Sequence, residues 1–107
     1  MKLIIAVVNR DDVNAVTENL TRNGFYTTRL STVGGFLLAE NVTLLIGVQD
    51  EQVQRAIDLI RERSHSRQQM VPAITEMSYG FMPVMPVEVT VGGATIFVVD
   101  VERFERV

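Results

Sequence analysis

Apolar residues fill every position from Leu3 to Val8. A run apolar on both of its alternating faces predicts a central strand from Lys2 to Asn9, covered on two sides. The period then changes. Val13, Val16 and Leu20 recur at helical spacing. They predict a helix from Asp12 to about Asn23, capped by Asp11 and stopped by Gly24. Phe25 to Thr32 is rich in β-branched and aromatic residues and reads as a second strand. A loop holding Gly34-Gly35-Phe36 follows, and Val42 to Val48 reads as a third strand. So short a connection favours antiparallel pairing of its flanks.

Val53, Ala56, Ile57 and Ile60 form one apolar stripe. They predict a second helix from Glu51 to about Arg63, with Asp50 as its cap. Met70 to Ile74 reads as a short strand, and Glu76 to Met85 as a loop holding Gly80 and Pro83. Val87, Val89 and Val91 alternate with Glu88 and Thr90, so one face of that strand is exposed. Gly92-Gly93 is a two-residue hairpin signal leading into a last strand from Ala94 to Val99.

The order is strand, helix, strand, strand, helix, strand, then an added C-terminal hairpin. It predicts an α+β fold: one ferredoxin-like βαββαβ sandwich over residues 1–107, with both helices on one face of one sheet. Two helices cannot cover both faces of a doubly apolar first strand. Association of several protomers through the second face is the simplest remedy.

Composition narrows the partners. The chain has 107 residues, 47% of them hydrophobic, which suits one domain with a real core. The longest apolar run is too short to span a bilayer, and no signal-peptide pattern opens the chain, so no membrane is expected. With no cysteine, a soluble cytoplasmic protein is the default. A net charge of −3 argues against long nucleic acid, which needs a basic face, but not against a small nucleotide.

The Gly34-Gly35-Phe36 loop carries the most chemistry. Its glycines let a backbone approach a ligand, and Phe36 offers a face for a flat ring. Thr28 at the entry and Asn41 at the exit supply polar groups. No Lys-Ser/Thr follows the glycines, so this is not a phosphate loop of the Walker type, and no helix follows to make a dinucleotide fingerprint. The same glycine pair would serve equally as a plain turn. His65 lies among Arg61, Glu62, Arg63, Ser64, Ser66 and Arg67 and reads as part of a solvated helix end. Asp11-Asp12 and Asp50-Glu51 read as helix starts, and Asp100 to Arg106 as a solvated charged tail. No catalytic pair or metal centre emerges, and an enzyme would require His65 to sit in a cleft. Met77 to Met85 is apolar for a loop: either it packs against a neighbouring protomer, or it is a mobile lid over a ligand or a surface that reads out the ligand to a partner.

The blocks Met1–Val8, Ser31-Thr32-Val33-Gly34-Gly35-Phe36-Leu37, Asn41–Gly47, Pro86–Val89, Val91–Val98 and Val101-Glu102-Arg103-Phe104 resemble the PII-like signalling proteins, in their cyclic-di-AMP receptor branch. The resemblance runs nearly end to end. It implies a PII-like homotrimer of ferredoxin-like protomers. Cyclic di-AMP would bind between protomers, with no other cofactor, at Thr28, Gly35, Phe36, Leu37, Asn41 and Gly47. It implies no catalysis; ligand binding reorders loops that then contact a downstream protein target, which the sequence does not name.

This chain departs from the family pattern at Leu38, where a basic residue is usual, at Glu40, where glycine is usual, and at Tyr26. The loop before Pro86 is also shorter. Two such charge changes would weaken a dianionic ligand by roughly tenfold to several hundredfold. The alternative function is therefore a divergent member that binds another small ligand or acts as a protein-interaction module.

Overall fold

The computed structural model describes residues 1–30, 41–72 and 86–107. Its elements are, in order, β1 (Lys2–Asn9), α1 (Arg10–Arg22), β2 (Thr28–Leu30), β3 (Asn41–Val48), α2 (Val53–Ser64), β4 (Ser66–Pro72), β5 (Pro86–Gly92) and β6 (Ala94–Asp100). β1 runs through the middle of a four-stranded antiparallel sheet of order β2-β3-β1-β6. With two helices, this is consistent with the ferredoxin-like arrangement.

Alternation along β1 divides the sheet into two faces. Ile4, Ala6 and Val8 are fully buried, together with Leu44 and Ile46 of β3. They meet Val13, Val16 and Leu20 of α1 and Ala56, Leu59 and Ile60 of α2. Full burial of one such aliphatic side chain contributes about 1.5–3 kcal/mol, so this layer dominates the stability of the protomer. The predicted stripe of α2 faces it, and Leu59, outside that stripe, joins it. Asn19 ties the helices together: its Nδ2 donates to the Leu59 carbonyl at 2.9 Å and to Glu62 Oε2 at 3.0 Å.

The helix ends differ from expectation. The Oδ1 of Asn9, not of Asp11, caps α1 by accepting from the Asp11 amide at 2.8 Å. Starting the helix at Arg10 leaves Asp12 buried inside its first turn. At the other end the Gly24 amide donates to Thr21 and the Phe25 amide to Leu20, with Gly24 at φ +86°. This paired closure needs a left-handed residue, which glycine supplies. It also seats Phe25 in the core, so β2 begins only at Thr28 rather than at Phe25. Asp50 does not cap α2. It starts a short 3₁₀ turn, Asp50–Gln52, and pairs with the amino terminus of Met1 at 2.9 Å.

The predicted C-terminal hairpin does not form. β5 pairs with β4 in a separate two-stranded ribbon, whereas β6 pairs with β1 and takes the fourth place in the main sheet. Gly92 and Gly93 have the positive φ a tight hairpin demands (+80° and +82°), yet here they pass the chain from one sheet to the other. The free edge of β1 explains the exchange: β6 matches it over seven residue pairs from Lys2–Asp100 to Val8–Ala94. The ribbon is held to α1 by Arg67, whose guanidinium meets both carboxylate oxygens of Asp12 at 3.2 Å. Gly92 lies beneath that pair, where a Cβ would come within 2.5 Å of Arg67 Nη1 and 2.9 Å of the His65 carbonyl.

Candidate functional site

Neither described helix lies on the second face of the sheet. Leu3, Ile5 and Val7 are half-buried there, whereas Phe97, Val99 and Leu30 are exposed. Register puts the candidate residues on this face. Thr28 lies opposite Leu45, and Gly47 lies opposite Leu3. At this end of the face a cleft of about 700 Å³ opens over Leu3, Thr28, Leu45 and Gly47. Such a volume falls within the usual range for small-molecule sites, about 300–1,000 Å³.

Gly47 keeps the cleft floor open. A Cβ there would meet Met1 Cε at 3.1 Å. Tyr26 forms one wall and is 89% exposed. Val101, Phe104, Glu105 and Arg106, from the segment after β6, form another. The Val101 amide anchors that segment by donating to the Met1 carbonyl at 3.2 Å. The tail is thus not simply a solvated charged face, as its composition implied. A lone aromatic, Phe104, inside the charged run was the available signal. Arg103 donates to Glu105 at 2.7 Å, whereas Arg106 has no ion-pair partner among the described residues.

Asn41 stands apart. It opens β3, opposite Asn9, six residues before Gly47. At about 3.4 Å per residue the two are roughly 20 Å apart. One protomer therefore joins Thr28 and Gly47 in a cleft but not Asn41. Gly35, Phe36 and Leu37, with Leu38 and Glu40, lie outside the described residues, as does the Met77–Met85 loop.

His65 does line a groove, of about 470 Å³, with Arg61, Ser64 and Ser66 between the end of α2 and β6. Among the described residues no carboxylate lines it, and the Ser64 hydroxyl already donates to the Ile60 carbonyl at 2.5 Å. The described lining of the groove thus gives His65 no carboxylate partner. Among the described residues no three His, Asp or Glu side chains cluster as a metal site, and no helix is long and apolar enough to cross a membrane.

Compared with known families, residues 1–107 match the model described as cyclic-di-AMP receptor. Among solved structures, a functionally unknown protein from Pediococcus pentosaceus ATCC 25745 is similar. It is 36% identical, the match covers 99% of this chain and 96% of that one, and the TM-score is 0.74.

Proposed function

The chain belongs to the cyclic-di-AMP receptor family, and from that premise we propose that it is a PII-like, non-enzymatic sensor that binds cyclic di-AMP between the protomers of a homotrimer. The observation that carries the reading is the cleft holding both Thr28 and Gly47 on the helix-free face. Gly35, Phe36, Leu37 and Asn41 complete the proposed contact set. Phe36 stacks on a base, worth roughly 1–3 kcal/mol.

Two features support a shared site. The helix-free face carries exposed Phe97, Val99 and Leu30, a surface that a second copy would cover. Asn41 lies too far along β3 to join Thr28 and Gly47 within one copy. A second protomer can bring its own residues to the cleft. Binding then reports to a downstream protein in the cytoplasm.

Isothermal titration with cyclic di-AMP, ATP, ADP and cyclic di-GMP tests the ligand. Heat with cyclic di-AMP alone is the expected result; no heat with any of the four, from folded protein, overturns the reading. Light scattering at micromolar concentration tests assembly, where a monomer counts against it. Leu38 and Glu40 favour a second reading, a divergent member with another ligand. A large gain in cyclic-di-AMP affinity in the Leu38→Arg, Glu40→Gly double variant would support it.

A further inference from the structure

We propose that the C-terminal segment is part of the ligand site, with Phe104 a stacking face for a nucleobase and Arg106 a contact for phosphate. The inference rests on the reading of the cleft as a nucleotide site, and it adds residues to that site. Phe104 is 64% exposed, an unfavourable place for a large aromatic unless something covers it. It lines the same cleft as Thr28 and Gly47 and shares it with the still more exposed Tyr26. Two aromatic side chains around one cleft suit a flat ring, since stacking accepts any base.

The charges lead to the second half of the assignment. Glu105 at the cleft would repel an anion, but it is held by Arg103 at 2.7 Å. Arg106 lines the cleft with no ion-pair partner among the described residues. The Arg103 pair offsets part of the Glu105 charge, and the planar donors of Arg106 match phosphate geometry.

The test is titration with cyclic di-AMP of the full chain and of Phe104→Ala, Arg106→Ala and Thr28→Val. Phe104→Ala is expected to weaken binding by about five- to a hundredfold. Arg106→Ala is expected to weaken it by about tenfold and to flatten the fall of affinity with added salt, which a purely structural role would leave unchanged. Both side chains are exposed, so neither change should lower the melting temperature. If Thr28→Val weakens binding while either tail variant binds as tightly as the unaltered chain, the cleft stands as the site and this assignment is overturned. The same holds if the tail variants change the mass of the assembly instead of the affinity, because a second copy is then what covers Phe104. If the unaltered, folded chain does not bind, both readings fall together.

Discussion

Ile46 and Leu45 are neighbours on β3 and almost equal in apolarity, yet Ile46 is fully buried and Leu45 only half so. The same split runs along β1, where Ile4, Ala6 and Val8 are sealed under the helices and Leu3, Ile5 and Val7 are not. The two faces of one sheet are thus similar in composition and different in fate. One is filled by the chain's own helices. The other keeps apolar surface, with a cleft at its end. An apolar position specifies that something must cover it; it does not specify whether the cover comes from the same chain, another copy or a ligand.

The largest expected effect tests the contrast itself. Ile46→Ala should cost about 2–5 kcal/mol in urea unfolding, from lost burial plus a residual cavity. Leu45→Ala should cost about 1 kcal/mol at low protein concentration and, under the proposed assembly through the open face, more at high concentration. Equal losses at every concentration would erase the distinction between the faces. Gly92→Ala asks whether the β4–β5 ribbon belongs to the covered half of the molecule. It forces a side chain into left-handed backbone beneath the Arg67–Asp12 pair, so a loss of about 1–3 kcal/mol is expected, with faster amide exchange in the ribbon.

Phe97→Asp acts on the open face alone. The stability of a protomer should change by no more than about 0.5 kcal/mol. For the proposed homotrimer, the mass by light scattering should fall from three copies to one, and an unchanged mass would mean that another surface joins the copies. The smallest effect concerns Lys2, at the edge where β6 joins β1. Its ammonium donates to the Asp100 carboxylate, and that hydrogen bond holds its pKa above the usual 10.5. A raised folded pKa means the contribution is fully present below about 10.5 and fades as pH rises through the folded value. Lys2→Met should therefore lower the melting temperature slightly at neutral pH, where the contribution is present, and remove that part of the alkaline decline, so that the two proteins converge above the folded pKa.

Much of this was legible because it depends on short-range periodicity. β1, both helices, β3, and the strands at β5 and β6 lie within a few residues of their predicted spans, and the stop at Gly24 follows from its chemistry. The misreadings share one cause. Asn9 and Asp11 are equally good caps, and the choice between them follows from where β1 leaves the sheet. Asp12 reads as a helix-start acid, but its partner Arg67 is 55 residues away. At the candidate site, the register of β2 on β3, not alternation within either strand, puts Thr28 and Gly47 on one face. Nothing local announced that Phe104 and Arg106 fold back beside them.

Gly92-Gly93 marks the boundary between the two kinds of information. Local chemistry alone determined that two residues there would adopt positive φ, since glycine does so without steric penalty. Which strands those glycines connect was decided only in three dimensions. β6 satisfies the open hydrogen-bonding edge of β1, and β5 is left to pair with β4. Backbone conformation is set by a residue and its neighbours, whereas strand pairing is a competition among all edges present in the fold. By the same logic the sequence determined that both faces of β1 are apolar. Only the tertiary structure decided which face the helices take, because a helix can cover one side of a sheet at a time and both described helices take the same one.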